Sequence, residues 1–139
     1  MHRDVFNGFA NPIEPSPAEL TAWAYDPTAG APQVNRQWDL LLADDRLAET
    51  LLGLAADQLC PKRTFALHCL YLYSADAVRT RFKAHPQKLV RRLLEAAEAL
   101  DDAWVRLWAA NTKALIADPN LFDYAEWCQG GLVRRPRRL

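Results

Sequence analysis

Apolar residues in this chain recur at spacings of three and four, and no segment alternates apolar and polar positions long enough to make a convincing strand. The densest apolar stretch lies within Pro61 to Phe82, where Thr64 to Ala75 carry no formal charge and are apolar on nearly every side. A helix apolar all round is a buried one. With His68, Ser74 and Asp76 interrupting it, the stretch falls short of the roughly 20 apolar residues that span a bilayer. It is therefore predicted as the central helix of a globular core, over residues 61–82.

The rest of the chain is read against that helix. Residues 1–15 mix Phe6, Phe9 and Ile13 with glycine and proline, which predicts an extended arm pinned by its aromatics. Ser16-Pro17-Ala18-Glu19 is a helix start with a capping box, and Asp26-Pro27 is its stop. A loop from Thr28 to Arg36 leads to a short apolar helix, QWDLLLA, and Asp44 or Asp45 is expected to cap the next, RLAETLLGLAADQL. Gly53 inside it costs about 1 kcal/mol against alanine, and so would mark a close backbone approach. Two further long helices follow, with Leu89, Val90, Leu93, Leu94 and Ala97 on one and Trp104, Leu107, Trp108 and Leu115 on the other. A short DYAEWCQ helix closes at Gly130-Gly131, and LVRRPRRL is a basic tail.

The fold class expected is all-α, with six to seven helices forming two antiparallel hairpins around the buried helix 61–82. Residues 1–132 make one domain and 133–139 its tail. Leu47, Leu51, Leu52 and Ala55 match Leu89, Leu93, Leu94 and Ala97 at an offset of 42 residues, a period within the range of HEAT-like repeats. A plain helical bundle with accidental similarity is the expected explanation of that match.

Composition narrows the function classes. At 139 residues, half of them hydrophobic, the chain can bury a core without staples. Seventeen basic residues balance seventeen acidic ones, so no global field steers it to nucleic acid or an anionic membrane. Cys60, Cys69 and Cys128 are odd in number and sit in no CxxC pair, as reduced thiols of a cytoplasmic protein would. The N-terminus lacks the apolar run of a secretory signal, which adds to the cytoplasmic expectation. Arginine outnumbers lysine and isoleucine is scarce, a bias that hints at a bacterial source with a GC-rich genome.

Chemistry-bearing residues gather in few places. In the central helix His68 and Tyr71 lie on a stripe next to that of Asp76, a candidate buried polar centre. The structural alternative, and the expectation here, is that Asp76 pairs with an arginine while His68 and the tyrosines bond carbonyls or one another. His2, His68 and His85 with the three cysteines show no zinc-motif spacing, so no metal is expected. Cys60, beside Lys62 and Arg63, is the nearest approach to an activated thiol, and an inert thiol is expected. GxGxxG, Walker, GxSxG and HExxH motifs are absent, so neither a cofactor nor a catalytic residue is assigned and an enzyme is not expected.

Charge distribution is the most functional-looking feature. No acid lies between Asp76 and Glu95, whereas Arg79, Arg81, Lys83, Lys88, Arg91 and Arg92 accumulate there; Arg134, Arg135, Arg137 and Arg138 form a second cluster. Together they would make a phosphate-binding face if the tail folds near the helix junction. The ordinary explanation is a solvated face and a helix C-terminus favoured by the macrodipole.

WAYDP (23–27), QWDLLLA (37–43), CPKRTFALHCLYLYSADAVRT (60–80) and DPNLFDYAEWCQGGL (118–132) carry a resemblance over most of the chain. In these blocks the chain resembles a group of small uncharacterised bacterial helical proteins, mostly from GC-rich genomes. The resemblance implies a free-standing domain and brings no activity and no functional residue. The function expected is that of a non-enzymatic protein-interaction module, an adaptor or an immunity or antitoxin-like factor, with another protein as partner and no membrane. A nucleic-acid-associated protein using residues 79–92 and the tail is the alternative.

Overall fold

The computed structural model describes residues 8–32 and 37–134. It is all-α: among the described residues there are eight α-helices and a short 3-10 turn, and no strand. The helices are α1 (Pro17–Tyr25), α2 (Trp38–Leu42), α3 (Ala48–Ala56), α4 (Arg63–Arg79), α5 (Gln87–Ala99), α6 (Ala103–Ala117), α7 (Tyr124–Cys128) and α8 (Gly131–Arg134), with the 3-10 turn at Pro119–Leu121. The eighth, beyond the six or seven expected, forms from the start of the supposed tail. Leu132 and Val133 are buried there, so the packed chain runs past residue 132.

Local chemistry sets most boundaries. Ser16 caps α1 with the expected reciprocal box: its side chain accepts the Glu19 N–H while Glu19 accepts the Ser16 N–H at 2.9 Å. Asp102 caps α6 by accepting the Trp104 and Val105 N–H groups. By contrast neither Asp44 nor Asp45 caps α3, whose N-cap is Leu47 without a side-chain bond. Asp45 is spent on Tyr73 instead, through a 2.8 Å bond from its hydroxyl. Gly53 is also not what its spacing suggested, since a Cβ there would meet nothing within 4 Å.

The central helix is shorter than 61–82 because both of its ends turn. Cys60 and Arg63 are held by turn bonds to Asp57 and Cys60 at its start. At its end Arg81 (φ 55) and Phe82 (φ 64) both adopt the left-handed region, and the Phe82 N–H reaches back to the Ala77 carbonyl at 2.7 Å. Two successive non-glycine residues there are strained, and the returning bond satisfies an orphan carbonyl of the last turn.

Helix α4 touches α2, α3, α5, α6, α7 and α8, so it is the axis of the core. Arg63 at its start donates to the Ala55 carbonyl at the end of α3, and Tyr73 near its end reaches Asp45 before α3 begins. These two bonds make α3 and α4 antiparallel. Against α6 it runs parallel, in a ladder of side-chain bonds: Arg63 to Asp102 (2.5 Å), Trp108 Nε1 to the Leu70 carbonyl (3.0 Å), Asn111 to Tyr71 (3.1 Å) and Thr112 to Ser74 (2.9 Å). Each rung satisfies a polar group that would be costly to bury alone. Four of the five tryptophans, Trp23, Trp38, Trp108 and Trp127, are buried, while Trp104 is partly exposed.

Among its described residues the arm is tied to the core through one aromatic. Phe9 packs edge-on to Trp38, whose indole N–H donates to the Pro12 carbonyl at 2.8 Å, and Trp38 in turn stacks on Phe65 of α4. Ile13 takes no part in this and is half exposed. Phe6 lies outside the described residues.

Candidate functional site

One side of α4 is left open. Apart from Arg63, every residue of α4 that is not buried (Thr64, Phe65, His68, Asp76 and Arg79) lines one of two adjoining clefts, and the buried Leu72 and Ala75 form the floor of the second. These positions share an arc of about 120° on the helix and extend over about 22 Å of its length. The first cleft, about 490 Å³, lies between α4 and the α7–α8 corner and is closed by Gln129, Gly130, Val133 and Arg134. The second, about 310 Å³, lies between α2 and α7, with Leu40 and Tyr124 on its rim. Asp39 and Cys128 line both, so the two clefts join at a waist and form one groove.

Helix α2 is too short to be stable alone, and its burial of Trp38 and Leu42 holds it beside α4. That placement brings Asp39 to the waist. Its Oδ2 lies 2.8 Å from His68 Nε2, and its Oδ1 accepts the Leu40 N–H at 2.8 Å. Across the waist the Cys128 thiol is pushed up, first by burial and further by Asp39 and Asp76, with Arg79 pulling the other way. A thiol held in its neutral form is a poor nucleophile, and no hydrogen bond joins its Sγ to His68.

The residues of the supposed buried polar centre are not brought together. His68 faces the first cleft with Asp39. Tyr71 is sealed in the core, where Asn111 donates to its hydroxyl and Trp127 packs edge-on to its ring; burial pushes its pKa up to about 12. Asp76 is exposed, its side chain 54% accessible, and it lines the second cleft while its Oδ2 lies 3.1 Å from His85 Nε2. The reason is helical phase: Tyr71 lies about 60° round α4 from His68 and about 140° from Asp76, just past the edge of the open arc, where Asn111 of α6 and Trp127 of α7 cover it.

A polar centre does exist, at the other end of α4. His85, nearly fully buried, stacks on Tyr73 at 4.0 Å and places Nδ1 2.8 Å from Asp45 Oδ1. Its Nε2 faces Asp76 at ion-pair distance without the alignment of a hydrogen bond. Sequence reading missed Asp39, Asp45, Tyr73 and His85 as partners. Separations of 28 to 40 residues leave no short-range spacing to find; the one signal was the acid inside the otherwise apolar WDLLLA.

The basic residues fall into separate groups. Arg79, Arg81 and Lys83 surround a shallow depression of about 620 Å³ beyond α4, and the Arg79 guanidinium lies 4.8 Å over the Phe122 ring. Lys88, Arg91 and Arg92 are on the exposed face of α5, with Arg92 reaching Glu49 at 3.5 Å. Arg134 lies at the opposite end of the α4 stripe from Arg79, its guanidinium on the Gln129 carbonyl. The left-handed turn at Gly130 (φ 79) sends α8 back along α4 and so puts it there. Arg135, Arg137 and Arg138 lie outside the described residues.

No group of three histidine, cysteine or acidic side chains is placed to hold a metal ion, and no helix is long and apolar enough to cross a membrane, among the described residues. No family model matches the chain, and neither a curated protein nor a solved structure shows significant similarity to it.

Proposed function

We propose that the chain is a non-enzymatic, cytoplasmic protein-interaction module, of the adaptor or immunity-factor kind, that receives its partner along the open stripe of α4. The observation that carries this reading is the groove itself. A core helix buried on its other faces bears two joined clefts along one arc, over a buried floor of Leu72 and Ala75, with Leu40 53% and Tyr124 60% exposed on the rim. Large apolar side chains around a concave surface are how partner surfaces are commonly built.

Site-specific photo-crosslinking tests it. A benzophenone side chain at position 40 is expected to form a discrete protein adduct in a lysate of the native host. The same group at Leu59, which is 87% exposed outside the groove, is expected to form none. Equal adducts from both positions, or none from position 40, count against the reading.

A second reading rests on a different observation. Among the described residues, Arg79, Arg81 and Lys83 have no carboxylate paired to them around their depression. Such a group would hold nucleic-acid phosphates with steep salt dependence. DNA or RNA binding that falls with salt and disappears in Arg81→Glu/Lys83→Glu favours it, and no binding at low salt sinks it.

A further inference from the structure

We infer that the groove receives an extended segment of the partner protein and that its α2–α7 cleft seats a basic side chain, arginine or lysine, of that segment between Asp39 and Asp76. This deepens the proposed interaction role and rests on it.

Dimensions decide the backbone form of the occupant. A helix with its side chains is about 10–12 Å across, whereas α2 and α7 both wall a cleft of about 310 Å³, room for one or two side chains. An extended strand rises about 3.3 Å per residue, so the length of the stripe accommodates about six or seven residues.

Lining chemistry decides the side chain. Leu72, Ala75 and Ala43 offer an apolar floor and Tyr124 a partly exposed ring, surfaces over which the long stem of a lysine or arginine packs while its head stays polar. Two carboxylates, Asp39 and Asp76, line the same cleft against a single cation, Arg79, which is drawn over the Phe122 ring. The Cys128 thiol lines the cleft with these groups and is pushed up first by burial, with Arg79 pulling it down and Asp39 and Asp76 each pushing it up. Of the two acids Asp39 has both oxygens engaged, by His68 and the Leu40 N–H. Asp76 is the half-exposed one and has an oxygen to offer the incoming cation.

The test uses the full chain, labelled with ¹⁵N, and two heptapeptides, Ac-Ala-Leu-Ala-Arg-Ala-Leu-Ala-NH2 and its counterpart with glutamate in place of arginine. The arginine peptide is expected to give saturable amide shifts at Leu40, Leu72, Asp76, Tyr124 and Cys128 at millimolar concentration, with weaker binding by the glutamate peptide. Asp76→Asn is expected to weaken the arginine peptide about three- to fivefold, the effect of a partly exposed charge pair, and to leave the glutamate peptide unweakened. Absence of saturable shifts, shifts outside the groove only, or equal affinity for the two peptides overturns the inference. A position-40 adduct alongside equal peptide affinities would overturn the charge preference and spare the interaction role. The absence of that adduct would remove the role itself.

Discussion

His85 and Asp45 face each other at 2.8 Å across forty residues of sequence, and the same Asp45 oxygen accepts the Tyr73 hydroxyl at 2.8 Å. One carboxylate thereby ties the α2–α3 connection to the C-terminal half of α4 and to the turn that leads into α5. Asp45→Ala would leave a buried hydroxyl and a buried imidazole nitrogen unsatisfied together. At about 1–3 kcal/mol for each such group, the expected loss is about 2–6 kcal/mol by urea unfolding. Tyr73→Phe is expected to cost about 1 kcal/mol, and less still in the Asp45→Ala background, since the two share one interaction. Additive costs would show that the shared oxygen does not couple them.

The parallel pairing of α4 with α6 is fixed by neutral polar rungs as well as by apolar packing. Thr112 donates to Ser74 at 2.9 Å where both are fully buried. Thr112→Val keeps the shape and strands the serine hydroxyl, at an expected cost of about 1–3 kcal/mol. Ser74→Ala/Thr112→Val removes both polar groups and is expected to recover most of that loss in chemical denaturation. A double variant no more stable than Thr112→Val would mean the rung matters for packing alone.

Helical periodicity made the long helices legible. Leu51, Leu52, Ala55, Leu93, Leu94 and Ala97, on the two matched stripes, are all buried. Capping chemistry was legible where the partners are local, as in Ser16 with Glu19. Asp45 shows where local reading stops: its sequence environment is that of a cap, and a tyrosine 28 residues away claims it instead. The groove escaped for a related reason. An apolar run with no charge reads as buried on all sides, and whether an arc of it stays uncovered depends on where α2 and α7 land. Gly130 gave the corner before α8 as a stop, while the return of the chain over α4 came from the burial of Leu132 and Val133.

Two glycines separate backbone permissiveness from close approach. Gly53 lies in α3 with open space at its Cβ position, so Gly53→Ala is expected to stabilise the protein by about 0.5–1 kcal/mol through helix propensity. At Gly131 a Cβ would stand 2.8 Å from the Glu126 Cα and 3.0 Å from the Ala125 carbonyl oxygen, both backbone atoms. Gly131→Ala must displace α7 or α8, at an expected cost of about 1–3 kcal/mol. Thermal unfolding of the two variants should therefore shift in opposite directions, and a shift in the same direction would refute the packing argument at the α7–α8 corner.

Two buried tyrosines, Tyr71 and Tyr73, and the exposed Tyr25 predict how stability responds to alkali. Tyr71 is pushed up to about 12 by burial, and Tyr25 to about 12 chiefly by its hydrogen bond to Asp57; Tyr73 is raised as well, by burial and then Asp45. In the unfolded chain each ionises near the ordinary value of about 10. Above that pH the folded state holds more protons than the unfolded state, so stability falls as pH rises. The contribution of Tyr71 is accordingly intact below about pH 10 and lost as pH climbs through about 12. Urea midpoints measured across this window should decline, and Tyr71→Phe, though less stable at neutral pH because the Asn111 amide loses its acceptor, should decline less steeply. An unchanged slope in Tyr71→Phe would show that its hydroxyl ionises as freely in the fold as in the open chain.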